Sequence, residues 1–188
     1  MRGTLRAFLS VDIDDQSLLS RITNIQTRLD ARTAKMKLVE KEKIHFTWRF
    51  FGETPVSRIE SMKEVMSRIR SSSFEIRIGG VGAFPSARRP RVIWIGVTEN
   101  SDKMRSLKAE TDDLLAELGY SREARKFHPH ATIARVRNVL DRNLLQENLE
   151  SMAGIDVGSM IVGNLRLTKS TLTPSGPIYQ TVWEVELK

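Results

Sequence analysis

The sequence predicts a fold that combines helices and strands, of the α+β or α/β class. Two observations indicate this: apolar residues recur at helical spacing in about four segments, and about eight short segments have the patterns of strands. The chain has 188 residues, which suits one domain or two tightly joined halves. No linker or low-complexity stretch divides it, so a single folding unit is expected.

Strand-like patterns occur along the whole chain. In order they are Leu5–Ile13, KMKLVE, KIHFTWRFFG, FEIRIGGVGAF, RVIWIGVTE, HATIARV, SMIVGNLRLTKSTLT and IYQTVWEVEL. The glycines of Gly79–Gly82 are interpreted as a strand bend, because their spacing fits neither a P-loop nor a dinucleotide-binding motif. PSGP, before the last strand, predicts a turn.

Helical spacing of apolar residues predicts four amphipathic helices. They run from Ser17 to Leu29, from about Val56 to Ser71, from Ser101 to about Leu118, and from Asn138 to about Met152. Polar residues at their starts predict N-caps: Asp14 or Asp15 for the first, Asn100 or Ser101 for the third and Asn138 for the fourth. Gly119 is expected to end the third helix.

Composition excludes several kinds of site. The chain has no cysteine, which removes disulfides, thiolate nucleophiles and cysteine metal ligands. Its formal charge is +7, from 30 Lys and Arg against 23 Asp and Glu, and its pI is about 10.0, which favours a polyanionic partner. We find no signal-peptide pattern and no apolar run of membrane-spanning length, so we expect a cytoplasmic protein without membrane contact.

A histidine followed two positions later by threonine occurs twice, at His45 and Thr47 and at His130 and Thr132. In a strand, alternate side chains share a face, so each pair projects on the same side. Arg49 is expected on the face of His45. The two HxT motifs lie at corresponding points of the two halves, which suggests an internal duplication.

Paired imidazoles suit general acid–base chemistry at a phosphodiester, since one can take a proton from water and the other can give a proton to the leaving oxygen. Thr47 and Thr132 could donate hydrogen bonds to phosphate oxygens, and Arg49 or Arg135 could stabilise the charge. Such a site needs no metal ion. It does require the two strands to lie side by side.

Two other interpretations of the histidines remain open. They could be ordinary hydrogen-bonded histidines of two strands. Alternatively His128 and His130, with His45, could bind zinc, although Pro129 restricts the backbone between the first two and zinc would not explain the two threonines. His128 is otherwise expected to mark the entry to a strand or to contact the substrate.

The chain resembles the 2H phosphoesterase superfamily, and within it the prokaryotic RNA 2′,3′-cyclic phosphodiesterases, also called 2′-5′ RNA ligases. The likeness covers nearly the full length. It rests on the blocks RAFLSVDI, HFTWRFFGET, RPRVIWIGV, FHPHATIAR and GPIY. It implies one α+β domain over residues 1–188, bilobal and pseudo-two-fold, with two mainly antiparallel sheets and flanking helices around a central cleft.

The resemblance also implies a reaction and a set of residues. The reaction is hydrolysis of a 2′,3′-cyclic phosphate at an RNA end to a 2′-phosphomonoester, accompanied by reversible 2′-5′ RNA ligation. His45, Thr47, His130 and Thr132 are the implied catalytic residues, with His130 as base and His45 as acid. Tyr179 could stack on a base, bind phosphate or simply pack.

Two basic residues depart from simple expectations. Arg49 stands where the family commonly has lysine, and a planar guanidinium binds phosphate differently from an ammonium. Arg135 has the wrong strand parity to join His130, and could reach the site only if the strand ends or bulges first. Other basic residues could guide an RNA backbone, namely Arg88, Arg89, Arg122, Arg125 and Lys126.

Three functions therefore compete. The first is a metal-independent RNA phosphodiesterase that needs no cofactor, acts as a monomer and binds RNA with a cyclic-phosphate end. The second is a non-catalytic RNA- or nucleotide-binding module. The third is a zinc hydrolase built on three histidines. Two complete HxT motifs favour the first, because binding alone needs no paired acid and base.

Overall fold

The computed structural model describes residues 3–188, and in that range it has nine strands and four helices. The strands are β1 (Thr4–Asp12), β2 (Ala34–Leu38), β3 (His45–Pro55), β4 (Phe74–Phe84), β5 (Val92–Glu99), β6 (His130–Val139), β7 (Asp156–Val162), β8 (Asn164–Thr173) and β9 (Gly176–Glu186). The helices are α1 (Gln16–Thr27), α2 (Val56–Met66), α3 (Ser101–Ala116) and α4 (Arg142–Glu150), with a short 3₁₀ turn at Lys41–Lys43.

The strands form two sets that meet at one point. One set has the order β7-β4-β5-β6-β2 and the other β3-β1-β8-β9. All their pairings are antiparallel, which confirms the α+β class. A single residue pair, Phe46 with Ala131, joins β3 to β6 and makes one continuous sheet. The two sheets that the family resemblance implied are thus joined at their edges.

Two helices cover each strand set. Helices α1 and α4 pack on the set that contains β6, and α2 and α3 pack on the set that contains β3. Apolar residues of both sets form one buried core against these helices, including Phe46, Trp48, Ile93 and Ile133. Because the helices occupy the core side, the opposite face of the inner strands β3 and β6 is free to line a cleft.

Local hydrogen bonds explain where the helices begin. Asp15 caps α1 as predicted, since its carboxylate accepts from the backbone N–H groups of Ser17 at 2.7 Å and Leu18 at 3.0 Å. The predicted cap at Asn138 is wrong. Asn138 pairs with Lys35 as part of β6, and Asp141 caps α4 by accepting from the Leu144 N–H at 3.0 Å.

Element ends differ from the predictions in a few places. Helix α2 ends at Met66 rather than Ser71, and the predicted strand SMIVGNLRLTKSTLT is divided at Gly163 into β7 and β8. The predicted bend in β4 is confirmed, because Gly80 has φ +70° at a bulge against β5. The longest helix, α3, has 16 residues, and within residues 3–188 no helix could cross a membrane.

Candidate active site

The two HxT motifs lie side by side on neighbouring strands of the sheet. Each begins its strand, and the residue pair that joins β3 to β6, Phe46 with Ala131, consists of the central residues of the two motifs. In an antiparallel pair the residues on either side of such a contact share one face of the sheet. Both histidines and both threonines therefore project on the same side, opposite the buried Phe46 and Ala131.

A cleft of about 480 Å³ opens on this face. His45, Thr47 and Thr132 line it, together with Arg135 and Tyr179. His130 lies beside it on β6, where Phe84 contacts its ring edge-on at 5.0 Å between centroids. Four of these residues were predicted for catalysis and two for substrate binding, and the fold brings all six to one region.

Both imidazoles are held in the same way. His45 Nδ1 lies 2.8 Å from the Lys43 carbonyl, and His130 Nδ1 lies 2.6 Å from the His128 carbonyl. A carbonyl can only accept, so in both rings Nδ1 carries the proton and donates it. Each Nε2 then has no proton in the neutral ring, so it can accept a proton, and it can donate one when the ring is charged.

His45 sits among aromatic rings. It stacks on Phe8 at 4.9 Å and meets Tyr179 edge-on at 5.6 Å, while its Nε2 is 3.0 Å from the Thr47 hydroxyl. Burial lowers the pKa of His45 below its ordinary value, and the charge of Arg135 adds to this. The Lys43 carbonyl and the carboxylate of Asp12, which pairs with His45 across β1 and β3, oppose that shift.

His130 has a more cationic surrounding. Burial again lowers its pKa, and the nearby His128 and the charge of Arg125 lower it further, against the His128 carbonyl, which raises it. No carboxylate contributes to this shift. The pKa values of both histidines therefore lie below the ordinary range, and the two differ in that only His45 faces a carboxylate.

The predicted position of Arg49 is wrong, because β3 bulges directly after its HxT motif. In the register with β1, Thr47 pairs with Ser10 and Arg49 with Leu9, so Trp48 is an extra residue that reverses the alternation. Arg49 consequently points away from the cleft. It is buried and pairs with Asp112 at 3.0 Å.

The same irregularity in β6 brings Arg135 into the cleft. In the register with β5, Thr132 pairs with Trp94 and Ala134 with Ile93, which leaves Ile133 as the extra residue. The bulge that Arg135 needed is therefore present. The two motifs are structurally equivalent over six residues, with Arg49 matching Ala134 and Phe50 matching Arg135.

The cleft residues that were not predicted from the sequence include three cations and one exposed aromatic ring, namely Arg6, Lys37, Lys43 and Phe50. Arg6 lies over the Phe50 ring at 4.6 Å, and Phe50 is 48% exposed, so an aromatic ring is open to solvent in the cleft. Aligning the two HxT motifs would have placed Phe50 at the position of Arg135. Arg6 and Lys37 come from neighbouring strands, so only the pairing identifies them.

The remaining candidates lie at different places. His128 is exposed, with Trp94 at 4.8 Å between ring centroids, and Arg125 lies over Phe84 at 5.2 Å, close to His130. Arg122 forms an ion pair with Asp113 on α3, away from the cleft, and Lys126 is exposed. Within residues 3–188 no three His, Cys, Asp or Glu side chains converge as metal ligands would.

The model of the LigT like phosphoesterase family matches this chain twice, over residues 11–94 and 95–179. Each matched segment contains one HxT motif at nearly the same distance from its start. This agrees with the internal duplication that the spacing of the motifs suggested.

Curated relatives of similar length also match. The chain is 36% identical over 169 residues to a protein of Aeropyrum pernix named RNA 2′,3′-cyclic phosphodiesterase. The alignment covers 90% of this chain and 96% of that protein. A protein of the same name from Methanothermobacter thermautotrophicus is 38% identical over 177 residues, covering 93% and 95%.

The fold has solved counterparts. The crystal structure of TT0787 from Thermus thermophilus superposes with a TM-score of 0.80 at 22% identity, over 97% of this chain and 98% of that one. This likeness concerns the fold, and it confirms the architecture that the resemblance implied.

Proposed function

The chain belongs to the LigT-like phosphoesterase family, and from this premise we propose that it hydrolyses 2′,3′-cyclic phosphate ends of RNA to 2′-phosphomonoesters. The observation that carries the proposal is the Phe46–Ala131 pair, which sets two histidines and two threonines on one face of the sheet, with three of them lining the cleft and His130 beside it. The name shared by the relatives from Aeropyrum pernix and Methanothermobacter thermautotrophicus supports the substrate.

The proposed reaction is an in-line displacement at phosphorus. A neutral imidazole takes a proton from water through Nε2 while the water oxygen forms a bond to phosphorus. The bond from phosphorus to the 3′ oxygen breaks, and the second imidazole, charged, gives its Nε2 proton to that oxygen. The products are a 2′-phosphate and a 3′-hydroxyl, and the next cycle requires one proton to return between the histidines.

We assign the base to His130 and the acid to His45. An acid must hold a proton before the leaving oxygen departs, and the Asp12 carboxylate opposite His45 favours its charged form. A base must be neutral, and the cationic neighbours of His130 favour that state. The different surroundings of two otherwise equivalent rings thus support one direction of proton transfer.

Threonines and cations would stabilise the charge that builds up on the phosphate. Thr47 and Thr132 flank the central pair and can donate to non-bridging oxygens, and Arg135 on the same face supplies a guanidinium. Burial raises the pKa of Tyr179, so its phenol stays protonated and able to donate. Arg49 has no part in this set.

The proposed mechanism extends to ligation. If the 5′-hydroxyl of another RNA takes the place of water, the same displacement yields a 2′-5′ phosphodiester. The general base would then deprotonate that hydroxyl, and the leaving 3′ oxygen would again be protonated by His45. Cleavage of the 2′-5′ linkage would exchange the two roles, as microscopic reversibility requires.

The test is turnover of an oligonucleotide ending in 2′,3′-cyclic phosphate, in EDTA, with the phosphate position of the product read by ³¹P NMR. We expect a 2′-phosphate, and loss of turnover in His45→Ala and His130→Ala variants whose circular dichroism matches that of the unmutated protein. Tight binding without product would identify a non-catalytic module. Activity lost in EDTA and restored by zinc would identify a zinc hydrolase.

A further inference from the structure

A second, smaller cleft next to the candidate active site is lined by five exposed arginines. It has a volume of about 210 Å³, and the five are Arg88, Arg89, Arg91, Arg137 and Arg142. We call it the arginine cleft. No carboxylate lines it, and among residues 3–188 none of the five forms an ion pair.

The placement of these cations is unfavourable for the isolated protein. Five like charges around one small cleft repel one another, and among residues 3–188 no carboxylate lines the cleft or pairs with one of them. Arg142 is also the first residue of α4, where the helix dipole disfavours a cation, and the adjacent Asp141 is occupied in capping that helix. A polyanion bound in the cleft would remove both penalties.

A row of basic residues connects the arginine cleft to the active site. On β6, Arg135 lines the active-site cleft and Arg137 lines the arginine cleft. On the neighbouring β2, Lys37 pairs with Arg135 and Lys35 with Asn138, so the cations continue across both strands. From Thr132 to Asn138 a strand covers roughly 20 Å, at about 3.3 Å per residue, which is more than one nucleotide spans.

The chemistry of the lining favours phosphate over base recognition. Guanidinium groups bind phosphate oxygens in pairs, whereas the lining contains no aromatic side chain on which a base could stack. Phe50 and Tyr179 in the active-site cleft supply such rings. Base contacts therefore belong to the terminal nucleotide, and backbone contacts to the nucleotides that precede it.

We propose that the arginine cleft binds the sugar–phosphate backbone of the RNA upstream of the cyclic-phosphate end. The inference rests on the proposed function and extends it. The enzyme then favours oligonucleotide over mononucleotide 2′,3′-cyclic phosphates, largely without regard to upstream sequence. The preference weakens as salt rises, because counterions compete for the same phosphates.

The test compares two substrates, a 2′,3′-cyclic mononucleotide and a single-stranded decanucleotide ending in 2′,3′-cyclic phosphate. We expect Arg137→Ala/Arg142→Ala to lower the ratio of kcat/KM for the decanucleotide to that for the mononucleotide by about tenfold or more. Binding of a decanucleotide with a 3′-phosphate is measured by fluorescence anisotropy at several salt concentrations. In the double variant, the magnitude of the slope of log binding constant against log salt concentration should fall by about 1.4, because two contacts to a single strand are lost.

A matched control separates local binding from net charge. Arg70→Ala/Arg105→Ala removes the same charge from exposed positions outside both clefts, and should leave the substrate ratio near that of the unmutated protein. Equal substrate ratios in both double variants and the unmutated protein would overturn the proposal that the arginine cleft binds RNA. The proposal of hydrolytic activity would remain intact. Absence of turnover with both substrates would instead contradict the proposed function.

Discussion

Replacing Arg49 tests the bulge in β3 most sharply, since regular strand alternation would make this residue a phosphate ligand. Its guanidinium is buried, pairs with Asp112 at 3.0 Å and donates to the Ser121 carbonyl at 2.6 Å. Lys108 binds the same carboxylate at 2.6 Å. Arg49 thus attaches the segment before the second HxT motif to the strand of the first.

The cost of removal follows from which groups lose partners. In Arg49→Ala, Asp112 keeps Lys108, whereas the Ser121 carbonyl loses its donor, so we expect a loss of about 1–3 kcal/mol. In Asp112→Ala the buried Arg49 loses the carboxylate that pairs with it, which costs about 3–5 kcal/mol. At roughly 2–4 °C per kcal/mol for a chain of this size, Tm falls by about 2–12 °C and 6–20 °C respectively.

The assay pairs thermal unfolding with kinetics on a cyclic-phosphate substrate below Tm. Arg49→Ala should lower Tm with little change in KM. The comparison variant Arg135→Ala, at an exposed position in the cleft, should do the reverse: a stability change within about 0.5 kcal/mol and a raised KM. If Arg49→Ala instead kept its Tm and raised KM, the bulge and the assignment of the cleft face would be refuted.

Two further predictions concern proton transfer. Because the pKa values of both histidines are lowered, the pH profile of kcat/KM should be bell-shaped, with both limbs below the ordinary value of 6.5. The value of kcat/KM falls at low pH as His130 gains a proton, and it falls at higher pH as His45 loses one. A basic limb well above pH 6.5 would contradict this. Asp12→Asn removes the carboxylate that raises the pKa of His45, so the basic limb should move to lower pH. The control Asp14→Asn removes a different partner of Arg166 and should leave the basic limb in place. Equal shifts in both variants would argue against a specific effect of Asp12.

The HxT motifs could be predicted from the sequence because strand alternation is a local rule over three residues. Side-chain directions beyond the threonines could not, since each bulge is defined by pairing with a distant strand. Trp48 is extra only relative to β1, and Ile133 only relative to β5. Alternation therefore misassigned Arg49 and left Arg135 undecided.

Comparing the two halves with each other would have corrected part of this. The stretches HFTWRF and HATIAR align without gaps, and they place Arg49 against Ala134, a residue typical of a core, and Phe50 against Arg135.

The N-cap of α4 was misplaced for a related reason. Pairing with β2 extends β6 to Val139, and Asp141 is the next side chain able to cap a helix.

In the proposed mechanism His45 and His130 act together as acid and base. Single-turnover rates on a 2′,3′-cyclic-phosphate oligonucleotide test it directly in His45→Ala, His130→Ala and the double variant. We predict that each single change lowers the rate by about 10²–10⁴-fold. The double variant should be little slower than the slower single one, because groups that act as a unit are not additive. Losses that multiply in the double variant, or a single variant that keeps nearly the full rate, would contradict the claim.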